Sequence, residues 1–196
     1  MHFMIEPITT PERTWVRYTI ETRESTFTVR AFSAGLLSAF AHNPTISIPS
    51  FEGEIRVGAA VEESTVTLVI HAASLAATDD IPAKDRKEID RKMHEEALDT
   101  DSYPEIVYEC SRLTASKTGE GQYWAALNGE LTLHGVKRVQ PVSARVSVND
   151  QGLRAVGEFT VRQSDYEIPP VSAVGGTIRL KDELKLSFNI SARKQP

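Results

Sequence analysis

The chain has 196 residues, a length that fits one domain. Hydrophobic residues make up 40% of it and charged residues 25%, the balance of an ordinary globular protein. Its formal net charge of −5 argues against nucleic acid or an anionic membrane as the main partner, because both attract a basic surface.

The first 14 residues are predicted to form a loose arm, because Pro7 and Pro11 interrupt regular structure. Residues 15–196 are predicted to form a single domain. No apolar run approaches the roughly 20 residues that a membrane-spanning helix needs, and no signal peptide is seen. Cys110 is the one cysteine and has no partner for an internal disulfide. We therefore expect a cytoplasmic protein, with the periplasm as the alternative if a signal was removed.

Strands dominate the chain, because apolar and polar residues alternate over nearly its whole length. Residues 184, 186, 188 and 190 show this best: all are apolar, and a strand places them on one face. A first strand is expected over 15–21. Eight main strands are then predicted at 26–32, 45–57 with a bend at Pro49, 64–72, 104–113, 122–133, 139–148, 153–163 and 183–192.

Two segments have helical spacing instead. Residues 33–42 are predicted to form one short apolar turn of helix that ends before Pro44. Ala83–Leu98 is predicted to be a longer helix, whose charged surface carries a narrow apolar stripe of Ile89, Met93 and Ala97. So thin a stripe packs by one edge only, which suits a helix that caps the mouth of a barrel.

Eight strands with one apolar face each are expected to close into an antiparallel, lipocalin-like barrel. Four small residues fall on its inward face: Ala125, Gly129, Ala155 and Gly157. Small inward residues either leave a cavity or make room for bulky neighbours, and the pattern alone leaves both open.

Four segments resemble one known family. Phe51–Ile55 resembles its F-x-G-x-I strand, and Leu98–Ile106 resembles the Tyr-Pro motif that follows its helix. Leu127–Lys137 resembles its G-x-L-T-L-H-G-V signature, and Phe159–Tyr166 is similar to its F-x-x-R-x-D-F strand. On these motifs the chain, over about residues 15–192, is similar to the YceI-like family, also called polyisoprenoid-binding or extended-lipocalin proteins.

This resemblance implies an eight-stranded antiparallel barrel with a helix-covered mouth. It also implies an elongated apolar cavity that holds an isoprenoid or a similar amphiphile, and a role in stress response or isoprenoid-quinone handling. One departure stands out: where the family motif usually continues D-F-G-I, this chain has Asp165–Ile168, with Glu167 in place of the glycine.

Reactive residues form no recognisable catalytic or metal motif. No two histidines have metal-ligand spacing, and no G-x-S-x-G elbow, Walker loop or G-x-G-x-x-G occurs, so no cofactor or metal is expected. His134, next to Gly135, is predicted to make a turn hydrogen bond. The face of His71 depends on strand register. Cys110 is predicted to be a small, buried, apolar side chain.

Three polar groups admit a second interpretation. His42 either helps to end the short helix or meets a polar ligand head at the barrel mouth. Arg162 and Asp165 are predicted to pair and fix a turn, with contact to an anionic head group as the alternative. The charges between Lys84 and Glu96 are predicted to form a solvated face.

We therefore predict a carrier, not an enzyme, for a long-chain isoprenoid or fatty-acid-like amphiphile. Strand parity and the capping elements give the predicted ligand-binding residues: Leu37, Phe40, His42, Leu68, Ile70, Met93, Tyr108, Leu131, Phe159, Val161 and Phe188. One alternative is a barrel-mouth hydrolase or isomerase that uses His42 with Asp99 or Asp101. Another is a solid-cored interaction module, with a homodimer formed through an exposed edge strand.

Overall fold

A computed structural model describes residues 15–34, 43–169, 172–173 and 178–196. The strands in this part of the chain are β1 Val16–Ile20, β2 Thr26–Arg30, β3 Ser33–Ala34, β4 Thr45–Ser47, β5 Phe51–Val57, β6 Thr65–His71, β7 Ala76–Ala77, β8 Glu105–Cys110, β9 Leu113–Gly119, β10 Gln122–Leu133, β11 Val136–Val148, β12 Gly152–Arg162, β13 Ser172–Ala173, β14 Ile178–Leu180 and β15 Glu183–Lys194. One long helix begins with α1, Ala83–Arg91.

Eight of these strands close into an antiparallel barrel, as predicted. They pair in the order β1, β5, β6, β8, β10, β11, β12 and β15, and β15 returns to β1 through pairs such as Ile20 with Ala192. The earlier part of β15, residues 185–189, pairs with β2 instead. The strands β1 and β2 therefore occupy successive parts of one strand position in the barrel. The strands β4 and β7 extend the sheet beside β2, and β3, β14 and β13 form a small separate sheet.

Side-chain alternation decides which face of each strand points inward. In β10, Tyr123, Ala125 and Leu127 are more buried than their neighbours Trp124 and Ala126. Trp124 keeps 47% of its surface exposed on the outside of the barrel. The period of two that marked the strands in the sequence therefore also separates the lumen from the surface.

The predicted helix Ala83–Leu98 is found almost in full, with a change of winding. After α1, residues Lys92–Ala97 follow a π-helical path, in which the Leu98 amide donates to the Met93 carbonyl at 2.9 Å. On its outer surface Arg91 forms ion pairs with three glutamates: Glu88, Glu95 and Glu96.

The strand predicted over 104–113 is found as β8, Glu105–Cys110, and a strand that the sequence did not predict, β9, begins at Leu113. β8 pairs with the second half of β10 and β9 with the first half. Between them, the carbonyl of Arg112 accepts hydrogen bonds from the Asn128 amide and the Cys110 thiol. The strand that pairs with β10 therefore changes between Cys110 and Leu113, where the predicted strand ends.

The strands β11 and β12 are paired over only part of their length. Their ladder runs from Val148–Leu153 to Ala144–Gly157 and stops there. The amide of Asn128, opposite Pro141, points to the β8–β9 side, so the Pro141 nitrogen faces β12, where it has no hydrogen to donate. Pro141 therefore cannot extend the ladder at this edge.

A short 3₁₀ helix, Gln163–Tyr166, follows β12 and packs against β11. Tyr166 at its end is 2% exposed. Glu167 then adopts a left-handed backbone with φ of 57°, the conformation that favours the glycine of the family motif.

The predicted pair of Arg162 with Asp165 is wrong. Arg162 Nε lies 3.2 Å from Asp182 Oδ2, and Ser164 donates to the same carboxylate from its amide and its hydroxyl, each at 2.7 Å. These bonds lower the pKa of Asp182, the hydroxyl of Ser164 contributing most. Asp182, just before β15, therefore fixes the 3₁₀ turn, and Asp165 within the turn does not.

Candidate functional site: a cavity inside the barrel

The barrel encloses a cavity of about 870 Å³, within the range of roughly 300–1,000 Å³ typical of small-molecule sites. Tyr123 and Leu133, ten positions apart on β10, both line it. That separation corresponds to about 25 Å along the axis of a barrel with tilted strands. The cavity is therefore long as well as large.

The wall of the cavity is almost wholly apolar. Its helix end, where α1 lies, is lined by Ile89, Met93 and Ala97 from one helix face, and by Leu180 and Leu184. Val57, Val61 and Val148 line the far end. The thin apolar stripe of the helix thus faces the lumen, and it closes the mouth as the sequence predicted.

Buried polar groups in the wall are already hydrogen-bonded within the protein. Tyr108 Oη donates to the Gln140 carbonyl at 3.2 Å, and Gln163 Nε2 donates to the Lys181 carbonyl at 2.9 Å. Ser64 Oγ accepts the Gly58 amide at 3.2 Å. Burial raises the pKa of Tyr108 and of Tyr18, so both phenols stay neutral well above physiological pH.

The four small inward residues divide into two classes. A Cβ on Gly129 would lie 2.5 Å from the ring of Tyr108, and one on Gly157 would lie 2.6 Å from the ring of Phe188. The two glycines therefore make room for aromatic neighbours. Ala125 and Ala155, in contrast, line the open cavity. Small inward residues therefore make room for bulky neighbours at Gly129 and Gly157, and leave cavity space at Ala125 and Ala155.

Phenylalanine rings cluster on one side of the lumen. Phe27 stacks on Phe188 at 5.9 Å between ring centroids, and Phe159 lies 6.4 Å from both. A fourth ring, Phe51, meets Phe27 edge-on. Such pairs contribute about 0.5–1.5 kcal/mol each beyond their burial, so they stabilise this part of the wall.

The structure brings most of the predicted ligand-binding residues to one place. The following eight line the cavity: Leu68, Ile70, Met93, Tyr108, Leu131, Phe159, Val161 and Phe188. Leu37, Phe40 and His42 lie outside the described residues. That any of the eleven predicted residues binds a ligand stays a prediction.

Sequence reasoning missed the charged residues of the cavity. Asp85 and Lys92 of the helix line its helix end, and so does Arg179 of β14. Asp85 is nevertheless exposed, in keeping with the solvated face expected between Lys84 and Glu96, and Lys92 is half-buried. Their spacing from Ile89, four residues before and three after, was the available signal, because it places them on the apolar stripe.

Two of the three histidines in the described chain, His94 and His134, have structural contacts. His134 and Gly135, with φ of 50° and 72°, form the tight turn between β10 and β11. His134 Nδ1 donates to the Tyr166 carbonyl at 3.3 Å, and its ring contacts Tyr103. His94 Nε2 donates to the Leu75 carbonyl at 2.9 Å, and His71 is exposed.

Cys110 is 3% exposed, and burial raises the pKa of its thiol. It is a small buried hydrophobe, as predicted. Among the described residues, no three His, Cys, Asp or Glu side chains are grouped to hold a metal ion. No helix in the same part of the chain is long and apolar enough to cross a bilayer.

Solved structures share this architecture at low sequence identity. BcnA of Burkholderia cenocepacia is similar with a TM-score of 0.66 at 15% identity, covering 88% of this chain and 98% of that one. A polyisoprenoid binding domain from Saccharophagus degradans, implicated in plant cell wall breakdown, gives 0.64 at 13% identity, covering 91% and 98%. A Campylobacter jejuni YCEI protein gives 0.58 at 13%, covering 80% and 88%.

No curated protein sequence matches the chain. The family model for the YceI-like domain, however, matches residues 18–192, which run from the first barrel strand to the last. With the eight-stranded barrel, the helix over its mouth and the enclosed cavity, this match shows that the chain belongs to the YceI-like family.

Proposed function

We propose that this protein binds one long-chain isoprenoid or similar amphiphilic lipid in its barrel and acts as a carrier for it. The observation that carries the proposal is the enclosed apolar cavity of about 870 Å³. Family membership and the resemblance to a polyisoprenoid binding domain support the same class of ligand.

The driving force for such binding is burial of the hydrocarbon tail. Each methylene transferred from water to an apolar wall contributes about 0.8 kcal/mol. The wall polar groups Tyr108, Gln163 and Ser64 already have protein partners, so an apolar tail beside them leaves none unsatisfied. Ordering of the tail opposes binding, and the surplus over that cost sets the affinity.

The shape of the cavity favours one extended guest. Its length of about 25 Å and its enclosed cross-section suit a chain better than a compact ring system. The phenylalanine cluster of Phe27, Phe159 and Phe188 gives one side of the wall a fixed surface against which unsaturated isoprene units pack.

Native mass spectrometry of gently purified protein tests the proposal, followed by organic extraction. We expect a mass above that of the polypeptide, which falls to the polypeptide mass on denaturation with release of a lipid. Delipidated protein is then offered a long-chain polyprenol and a long-chain fatty acid. A protein that purifies empty and takes up neither molecule would contradict a lipid-binding role.

A further inference from the structure

The barrel wall has a gap on one side, between β11 and β12. Their ladder ends where Ala144 pairs with Gly157, although β11 also contains residues 136–143 and β12 residues 158–162. Along these stretches β11 stays bonded to β10, and β12 stays bonded to β15. The two stretches are therefore neighbours in the barrel without a ladder between them, and we call the space between them the side gap.

The lumen lies directly behind the side gap. Val142 of β11 and both Phe159 and Val161 of β12 line the cavity. Arg138 has the same strand parity as Val142, yet its side chain is exposed. Its partner on β10, Leu131, lines the cavity. Solvent therefore reaches the inward face of β11 at the gap, next to side chains that line the lumen.

A single helical turn closes the side gap. The 3₁₀ helix Gln163–Tyr166 follows β12 and packs against β11, so it spans from one edge of the gap to the other. Gln163 and Ile168 line the cavity, and Tyr166 is buried. We call residues 163–168 the cover. At this place the lumen is closed by side chains of the cover and not by a strand ladder.

The cover is held more firmly beside β12 and β15 than beside β11. Gln163 donates two hydrogen bonds of 2.9 Å to carbonyls of the segment Lys181–Asp182, one from its amide and one from its side chain. Ser164 donates two more, of 2.7 Å, to the carboxylate in that segment. On the β11 side, the described residues give one hydrogen bond, 3.3 Å long, from His134 to the Tyr166 carbonyl. The contact with β11 is therefore the weaker attachment.

We propose that the guest enters and leaves the lumen through the side gap, as the cover turns away from β11 while it stays attached to Lys181–Asp182. This inference rests on the proposed lipid-binding function and adds the route that the lipid takes. A short element with few bonds opens locally at lower cost than a paired strand. The helix that lines the barrel mouth with Ile89 and Met93 then stays in place during exchange.

A reversible cross-link between the cover and β11 tests the route. Burial raises the pKa of Tyr166, and the charges of Asp165 and Arg138 both act on it, so these two exposed positions lie near each other. The double variant Arg138→Cys with Asp165→Cys is joined by a bifunctional thiol reagent that a reductant cleaves. Cys110 is 3% exposed and stays unmodified.

Stopped-flow measurements follow uptake and release of a fluorescent long-chain fatty acid or polyprenol, whichever the wild type binds. We expect the cross-link to slow both rates roughly tenfold or more, because a closed gate blocks the path. The equilibrium affinity stays the same, and reduction restores the rates. Unchanged rates in the cross-linked protein overturn the route.

A cross-link in the intact part of the same two strands is the matched control. Arg145→Cys with Val156→Cys joins two exposed positions that pair directly in the ladder. It is expected to leave both rates unchanged. An equal slowing in this control also overturns the route, since the effect then comes from stiffening of the wall and not from the cover.

His134→Ala tests the cover without cysteines. It removes the hydrogen bond on the β11 side and is expected to speed release severalfold, so the route stays testable if a cysteine pair folds poorly. Release no faster than in wild type counts against the cover as the gate. Normal lipid binding with rates that ignore both the cross-link and His134→Ala overturns the route alone. A wild-type protein that binds neither lipid overturns the proposed function as well.

Discussion

The hydroxyl of Tyr108 crosses strand β10 to reach the backbone carbonyl of Gln140, at 3.2 Å. The ring passes directly over Gly129, where a Cβ would lie 2.5 Å from it. The strands β8 and β11, not adjacent in the sheet, are thereby linked through the lumen. One glycine permits this link, and its replacement tests it.

Gly129→Ala is expected to lower the free energy of unfolding by about 1–3 kcal/mol, because the new methyl group overpacks against the Tyr108 ring and the Glu109 carbonyl. Denaturant unfolding measures the loss. Gly119→Ala in β9 is the control, since a Cβ there meets only the Gln122 side chain at 3.6 Å. Equal stability of both variants would show that the ring moves aside freely.

Alkaline pH is expected to weaken the fold through Tyr108. Burial raises its pKa in the folded state above the ordinary value of about 10. The stabilisation is fully present below the unfolded pKa and is lost as pH rises from about 10 through the folded pKa. Unfolding midpoints measured across this window should fall more gently in Tyr108→Phe than in wild type. Parallel curves would remove Tyr108 as the cause.

Acidic pH acts through Asp182, whose folded pKa is lowered by its bonds from Ser164 and Arg162. Its contribution is present above the unfolded pKa and is lost as pH falls through the lower, folded value. We expect Asp182→Asn to cost less than about 1 kcal/mol at neutral pH, since solvent screens this partly exposed group. The cost should vanish in acid. Asp165→Asn is the control, expected to show neither effect.

Glu167→Gly is expected to raise the free energy of unfolding by about 0.5–1 kcal/mol. Glu167 has a φ of 57°, a left-handed backbone that costs an ordinary residue energy and glycine none. Glu62→Gly in the 3₁₀ helix Val61–Glu63 has no positive φ to relieve and should destabilise instead. Thermal melts compare the two, and a destabilised Glu167→Gly would refute the strain.

Leu131→Trp is expected to block the cavity. Leu131 is 7% exposed and lines the lumen, so an indole there occupies the path of a lipid tail. Val139→Trp, on a side chain that is 59% exposed outside the barrel, is the control for the added ring. Circular dichroism establishes that both are folded. Lipid uptake by Leu131→Trp equal to that of the control would remove Leu131 from the binding site.

Much of the barrel could be predicted because strand alternation is a local signal. The strand over 122–133 was placed to the residue, since Leu127, Leu131 and Leu133 share one parity with Ala125. The helix stripe of Ile89, Met93 and Ala97 likewise predicted which helix face meets the lumen. Strand parity and helix spacing can be recognised in a short window of sequence, so predicting them requires no knowledge of the fold.

Contacts between distant segments could not be predicted in this way. Asp182 replaces Asp165 as the partner of Arg162, although Asp165 is nearer in sequence, because β15 returns beside β12. Whether a small residue faces space or a ring depends on the neighbouring strand, as Gly129 and Ala125 show. Cytoplasmic location, a homodimer and a role in stress response stay predictions.

The outward direction of Trp124 decides how binding to this barrel can be observed. Its indole lies in water on the outer wall, and within the described residues neither tryptophan lines the lumen. Emission from Trp124 will therefore change little as a guest enters. Tyr18, Tyr108 and Tyr123 border the lumen, so ultraviolet difference spectra of these phenols are the natural optical readout of occupancy.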